Sequence, residues 1–126
     1  MPYVKIKFGE ALYVTKADIP GMYSIGHCLT DDVGYCEGQR RIDWILDDRS
    51  DIGSSNRTFM EKFDGMIAVE DLFTEDPKEA ALIVPILVMI DLLHQWDEVC
   101  KTNPEEVTIY YENEKFRIEA KERKQA

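Results

Sequence analysis

Residues 23–32 read YSIGHCLTDD, a short apolar segment that reaches His27 and Cys28 and then continues into hydroxyl and acidic side chains. A buried strand has this pattern where its C-terminal end delivers polar groups to a ligand cleft. The segment 22–29 is therefore predicted to be a strand, with Asp32 just beyond its end, at a binding site.

Hydrophobic periodicity indicates an α/β protein around this segment, with a C-terminal β-hairpin. The predicted elements are, in chain order, a strand at 4–8, a loop at 13–21, the strand at 22–29, a helix at 38–48, a short helix at 56–63 capped by Asn56, a strand at 65–69, and strands at 107–111 and 116–120 joined by a turn at Asn113.

Residues 76–100 leave two alternatives open. Residues 76–79, Asp-Pro-Lys-Glu, form a typical helix start, which favours one long helix kinked near Pro85. The Val and Ile residues of 82–87 favour a helical turn, a buried strand, and a final helix from about Leu92. Periodicity does not decide between the two.

The chain has 126 residues, and its length predicts one domain, at 1–120, with a polar tail at 121–126. The formal charge is −10, and 11 acidic against 4 basic residues between 43 and 79 give that region a net charge of −7. Such a surface repels nucleic acid backbones, so no direct nucleic acid binding is expected. The acidic region suits either solvation or a basic protein partner.

Three cysteines with no framework spacing predict reduced thiols and a cytoplasmic protein. The N-terminus lacks the pattern of a signal peptide. The longest apolar run, 80–90, is too short to cross a bilayer, so no membrane partner is expected.

The His and Cys residues do not have the spacing of a metal site, since four ligands are needed and no Cys-x-x-Cys pair exists. No metal and no cofactor are predicted. A nucleophile would need an exposed thiolate beside a base. The favoured interpretation is a buried Cys28 and a hydrogen-bonded His27.

Three carboxylates are candidates for acid/base chemistry or for binding hydroxyl groups: Asp31, Asp32 and Asp91. A solvated loop is the alternative for the first two. Asp91 interrupts an apolar run, so it is either a buried carboxylate that needs partners or the point where the run meets water.

Several motifs resemble the macrodomain family, in its branch that removes ADP-ribose from acidic side chains. Phe-Gly-Glu at 8–10 is similar to the family's first strand end, and 24–32 to its Ser-Leu-Ala-His-Cys-x-Ser-x-Asp motif. Residues 35–38, Tyr-Cys-Glu-Gly, follow at the position of the family's glycine loop. Downstream, Pro85 and Gln-Trp-Asp-Glu-Val at 95–99 keep the family's spacing.

The resemblance implies a shortened macrodomain-like fold with a central mixed sheet flanked by helices. In this fold Glu10 contacts adenine, and Asp32 and Gly38 contact the ribose and phosphate side. Asp91 is then the one candidate for residual catalysis. Cys36 replaces the first loop glycine, the downstream phosphate loop has no glycine, and the family's catalytic lysine has no counterpart. These departures imply weakened or lost ligand binding and favour a protein without enzymatic activity; any activity would be ADP-ribosyl hydrolysis.

Two functions follow as hypotheses. The first is a small cytosolic, degenerate macrodomain-like protein that binds ADP-ribose or a related nucleotide weakly, or has lost that ligand. The second is an acidic protein-binding inhibitor, such as an immunity protein or a phage anti-defence factor, that acts on a basic partner through the acidic region 43–79.

Overall fold

The computed structural model describes residues 1–49, 52–54, 57–74 and 80–123. Within these residues the strands are β1 (Tyr3–Phe8), β2 (Leu12–Ala17), β3 (Ile52–Ser54), β4 (Thr58–Phe63), β5 (Met66–Asp71), β6 (Leu82–Pro85), β7 (Glu106–Glu112) and β8 (Lys115–Lys121). The α-helices are α1 (Pro20–His27), α2 (Gly38–Leu46) and α3 (Ile86–Cys100), and a π-helix at Cys28–Val33 continues α1. The protein is therefore α/β, as predicted.

The strands form two antiparallel sheets, with the orders β2-β1-β7-β8 and β3-β4-β5-β6. Neighbours along the chain are joined mainly by short hairpins, which impose antiparallel pairing because a parallel pair needs a long crossover connection. The predicted central mixed sheet is therefore wrong. The predicted C-terminal hairpin is confirmed, since β7 pairs with β8 across a turn at Asn113 and Glu114.

The segment predicted as a strand, 22–29, is helical, and this is the main correction to the predicted fold. Pro20 lies in the first turn of α1, where its missing N–H costs nothing. Met22, Ile25 and Leu29 are fully buried at spacings of three and four residues, which is the period of a helix and not of a strand.

Gly26 allows α1 to approach the first sheet closely. A Cβ at this position would lie 2.7 Å from Cγ2 of Val4 and 2.8 Å from Cγ2 of Val14. The small residue before His27 therefore serves helix–sheet packing. The predicted environments of the next two residues are confirmed, since Cys28 is fully buried and His27 is hydrogen-bonded.

The short helix predicted at 56–63 is strand β4, while its predicted cap, Asn56, lies outside the described residues. The turn that joins β4 to β5 is Asp64-Gly65, with φ angles of 49° and 76°. Asp-Gly strongly favours the two-residue hairpin turn with both residues at positive φ. The apolar residues of 56–63 also fit a helical period, but the turn pairs β4 with β5. This pairing confirms the predicted strand at 65–69.

Residues 82–100 form a strand followed by a helix, so the alternative of one long helix is wrong. Pro85 marks the boundary with φ −58° and ψ 143°, an extended conformation that a helix interior does not allow. The helix begins at Ile86, earlier than the predicted Leu92. The helix start predicted at 76–79 lies outside the described residues.

Nearer the N-terminus, the structure confirms the strand predicted at 4–8 and the helix predicted at 38–48. The loop predicted at 13–21 is wrong except at residues 18–19, because β2 pairs along β1 as far as Ala17 and α1 begins at Pro20. The pairing shifts register between Lys5 and Ile6, and such an irregularity disturbs the simple alternation by which a strand is recognised in sequence.

One hydrophobic core joins the two sheets to all three α-helices. Its fully buried members on α3 are Met89, Leu92, Leu93, Trp96 and Cys100. The Trp96 ring lies 5.5 Å from that of Phe8, and its Nε1–H donates to the carbonyl of Gly34 at 2.9 Å. These contacts hold the β1–β2 turn beside the end of the π-helix, where the candidate site lies.

Candidate functional site

A cavity of about 660 Å³ lies between the β1–β2 turn, the end of the π-helix, and the residues just before β4 and just after β5. Its charged lining residues are Glu10, Asp31 and Arg57, and its aromatic ones are Phe8, Tyr35 and Phe73. Small-ligand sites commonly have this size and combine apolar walls with a few polar groups. The cavity is therefore the candidate ligand site.

Behind the cavity lies a cluster of ionisable side chains centred on Asp71. This carboxylate is 1% exposed, and its Oδ2 lies 2.8 Å from His27 Nδ1. Arg57 approaches it from the other side, with Nε 3.2 Å from Oδ1 and a second nitrogen 3.4 Å from Oδ2. The predicted hydrogen bond of His27 is thus made to a buried carboxylate.

Burial acts to raise the pKa of Asp71, but its hydrogen bonds outweigh that effect and the pKa is lowered. The donors are the N–H of Phe73 at 3.0 Å, Arg57 and His27. A buried carboxylate with this many donors remains ionised and holds its partners in place. Asp71 therefore positions Arg57 at the edge of the cavity.

The charge of Arg57 is compensated on several sides. Its guanidinium lies 3.7 Å from Asp31 in addition to the two contacts with Asp71, and it stacks over the ring of Phe73 at 5.2 Å. Glu10 is exposed in the β1–β2 turn and forms no hydrogen bond or ion pair with the described residues. The charge of the cavity left without a partner is therefore negative.

Asp32 does not line the cavity. Its Oδ1 accepts the N–H of Arg57 at 3.0 Å, and its Oδ2 accepts the N–H of Thr58 at 2.7 Å together with the Thr58 hydroxyl. These bonds join the π-helix to the start of β4. Asp32 has a structural role in this arrangement, as an anchor for the backbone that carries Arg57.

The backbone N–H of Gly38 binds an anionic group, but that group is a carboxylate of the protein itself. Its N–H donates to Asp97 Oδ1 at 2.7 Å, and the N–H of Gln39 donates to Oδ2 at 3.0 Å. A Cβ at Gly38 would lie 2.8 Å from the carbonyl of Leu93. The helix start predicted to bind phosphate is therefore occupied by a carboxylate from α3.

Asp91 is exposed on α3, and its Oδ2 accepts a hydrogen bond from Gln95 at 2.8 Å. Of its two interpretations, the point where an apolar run meets water is confirmed. Among the four residues predicted for ADP-ribose, Glu10 lines the cavity, whereas Asp32, Gly38 and Asp91 are not among its lining residues.

The buried thiols are poor nucleophiles. Burial raises the pKa of Cys28 to about 12 and that of Cys100 to about 12, so both stay protonated near neutral pH. The Ser24 hydroxyl is also fully buried and bonds to the carbonyl of Ala80. Within the described part of the chain, the His27–Asp71 pair has neither a thiolate nor an accessible serine beside it to act as a nucleophile.

No group of three or more His, Cys, Asp or Glu side chains is arranged to hold a metal ion within the described ranges. Likewise, none of the helices in that part of the chain combines the length and apolarity that a membrane crossing requires.

A second feature is the side of the β3-β4-β5-β6 sheet that faces away from the core, here called the outer face. The strand registers place these residues on it: Ile52, Phe59, Glu61, Phe63, Met66, Ala68, Glu70, Ile83 and Pro85. Ile52 is 58% exposed, Ile83 51% and Phe63 39%. Among the residues that these registers place there, the outer face presents apolar side chains together with two carboxylates and no basic side chain.

The described basic residues of the acidic region, Arg49, Arg57 and Lys62, have partners other than the carboxylates of the outer face. Lys62 is buried beneath the end of α2, where its Nζ donates to the carbonyls of Trp44, Ile45 and Asp47. Arg57 is engaged by Asp71, and Arg49 pairs with Asp47. Because Lys62 and Asp71 are both buried, burial leaves the net charge of the described surface of residues 43–79 unchanged and negative.

Sequence patterns pointed to His27, Asp31 and Glu10. They missed Arg57, Asp71 and the aromatic rings of Tyr35 and Phe73. Asp71 is the last residue of β5 and ends an apolar segment, so the rule applied to 23–32 would have found it. Arg57 has no comparable signal, because its role depends on contacts with two distant segments. Comparisons with protein-family models, with curated proteins and with solved structures find no match to this chain.

Proposed function

We propose that this protein is an acidic inhibitor that binds a basic protein partner through the outer face. The single observation that carries the proposal is the exposure of Ile52, Phe63 and Ile83 on a face that also holds Glu61 and Glu70. Exposed contiguous apolar surface is typical of protein interaction sites.

Charge complementarity supports a basic partner. The carboxylates beside the apolar side chains would steer a positively charged protein and disfavour an acidic one. The formal charge of −10 adds a long-range attraction that salt screens. An acidic protein-binding inhibitor that acts on a basic partner, the second hypothesis from sequence, combines these two properties.

Affinity capture from host extract tests the proposal with three baits in parallel: the native protein, Ile83→Lys and Ile19→Lys. Ile83→Lys adds a positive charge to the outer face, and Ile19→Lys makes the same change at a 38% exposed position before α1. We expect native bait and Ile19→Lys to retain a basic protein at low salt, and Ile83→Lys to retain about tenfold less, since an interface core residue is lost and a like charge is added.

Raising NaCl from 50 to 500 mM should lower the recovery of that same protein. The proposal fails if no basic protein shows both dependences, or if the two lysine variants capture it equally. Circular dichroism of each bait confirms that the variants are folded before they are compared.

Binding of ADP-ribose or a related nucleotide is a second candidate function. It rests on a proposed relationship to the macrodomain family. One observation supports it: Glu10, predicted to contact adenine, lines the cavity beside Tyr35 and Phe73, whose rings could stack on a base. Millimolar ADP-ribose should then raise the melting temperature by mass action, and less so in Glu10→Gln. An unchanged melting temperature removes this candidate.

A further inference from the structure

The cavity is acidic even though it contains an arginine. Arg57 is shared between Asp71 and Asp31, so its charge is already matched. Glu10 has no such partner among the described residues, and Asp31 is exposed. A ligand that enters the cavity therefore meets one free carboxylate and a second that is only loosely paired with Arg57.

The aromatic rings of Tyr35 and Phe73 are a second feature that favours a positively charged ligand. Tyr35 is 48% exposed and Phe73 70% exposed, so both present ring surface to solvent. The Tyr35 hydroxyl donates to the carbonyl of Cys100 at 2.7 Å, which fixes the orientation of its ring. Aromatic faces attract guanidinium and ammonium groups, and Phe73 already stacks with one in Arg57.

We propose that this cavity binds the guanidinium or ammonium group of a basic side chain, with Glu10 and Asp31 as the ion-pairing groups and Tyr35 and Phe73 as the stacking surfaces. This rests on the proposed function, because it identifies the cavity as the place where a basic partner inserts a side chain. The residues after β5 connect the two surfaces, since Phe73 follows the strand that carries Glu70 on the outer face.

A phosphate is the less favourable occupant. To reach Arg57 it would compete with Asp71, which holds two contacts, and it would approach Glu10 and Asp31 against their charge. The cavity of about 660 Å³ has room for a long basic side chain together with the backbone on either side of it.

N-acetyl-L-arginine amide is the probe, titrated into isotopically labelled protein and followed by NMR amide shifts. N-acetyl-L-citrulline amide has nearly the same shape without the charge and serves as the matched ligand. We expect saturable shifts around Glu10, Asp31 and Phe73 with the arginine probe, and about fivefold weaker binding of the citrulline probe, the scale of one partly exposed ion pair.

Glu10→Gln and Phe73→Leu should each weaken the arginine probe by about threefold to fivefold. Glu114→Gln, in the exposed β7–β8 turn, should leave its affinity unchanged. Equal binding of the two probes, or an unchanged affinity in Glu10→Gln, overturns the proposal. So does ADP-ribose shifting the same resonances while the arginine probe shifts none, which would assign the cavity to a nucleotide.

The same titration on Ile83→Lys separates this inference from the proposed function. That variant alters the outer face and should bind the arginine probe as the native protein does. Loss of partner capture in Ile83→Lys with no arginine binding in either protein overturns only the cavity proposal. Arginine binding without any captured basic protein overturns only the docking proposal.

Discussion

At the scale of single residues, Asp71 organises the surroundings of the cavity. It is buried, it has a lowered pKa, and it joins α1, the start of β4 and the residues after β5 through His27, Arg57 and the N–H of Phe73. Removing one partner from a buried charged cluster is costly because the remaining groups lose their compensation. The contribution of Asp71 to the free energy of unfolding should therefore depend on pH.

Asp71→Asn should lower the free energy of unfolding at pH 7 by about 2 kcal/mol, below the usual range for fully buried pairs because Arg57 and His27 are partly exposed. A lowered carboxyl pKa stabilises the fold above the ordinary carboxyl pKa of about 3.9, and this is lost as the pH falls through the lowered pKa. The difference between native and variant protein should thus shrink at pH 3.

Urea unfolding at pH 7 and pH 3 measures this difference. Asp91→Asn is the control, since Asp91 is exposed, and it should change stability by less than about 0.5 kcal/mol at either pH. An Asp71→Asn penalty of equal size at both pH values would contradict the role of the ionised carboxylate.

The three cysteines should differ in reactivity. Cys28 and Cys100 are fully buried with pKa values raised to about 12, whereas Cys36 is partly exposed after the π-helix. A thiol reagent such as Ellman's reagent should modify one thiol rapidly in the native protein at pH 8, and Cys36→Ser should abolish that phase. Rapid modification of two or three thiols would show that the core around Cys28 or Cys100 opens readily.

At the scale of elements, turn chemistry and proline positions decided what periodicity left open. Asp64-Gly65 turns β4 into a hairpin strand, and Pro85 separates β6 from α3. Both signals are present in the sequence. The identity of α1 is also visible there, because its buried residues recur every three or four positions and Pro20 precedes them.

The β7–β8 hairpin contains a conformation that its sequence does not favour. Glu114 has φ 59° at the second turn position, where glycine is preferred, as in Asp64-Gly65. Glu114→Gly should raise the free energy of unfolding by about 0.5–1 kcal/mol, since the strain of a left-handed side chain is removed. Glu112→Gly, at the last residue of β7, should lower it because the strand loses backbone rigidity.

Thermal and urea unfolding of Glu114→Gly and Glu112→Gly provide the measurement. A loss of stability in Glu114→Gly comparable to that in Glu112→Gly would mean that the Glu114 side chain contributes more than its strained backbone costs.

At the scale of the whole molecule, charge is distributed unevenly between the two sheets. The strands of the β2-β1-β7-β8 sheet carry six basic residues, Lys5, Lys7, Lys16, Lys115, Arg117 and Lys121, against three acidic ones, Glu106, Glu112 and Glu119. The remainder of the chain is therefore more acidic than the total of −10. Self-repulsion within that part opposes folding at low ionic strength.

Raising NaCl from 20 to 300 mM at pH 7 should raise the melting temperature by about 2–5 °C, equivalent to about 1 kcal/mol for a domain of this size. Differential scanning fluorimetry measures the shift, and a neutral osmolality control with sorbitol separates screening from solvent exclusion. A melting temperature that falls with NaCl would show that internal ion pairs such as Arg57–Asp71 outweigh the repulsion.

By itself the sequence determined the α/β class, the helix at α2, the C-terminal hairpin and the burial of Cys28, because each depends on local periodicity, turn residues or composition. The tertiary structure alone decided which groups the polar side chains of 23–32 contact. It brought Asp31 to the cavity, turned Asp32 to the backbone of β4, and placed Asp97 on the Gly38 helix start. These pairings join segments far apart in the chain, and the energy of a buried charge depends on which distant partner reaches it.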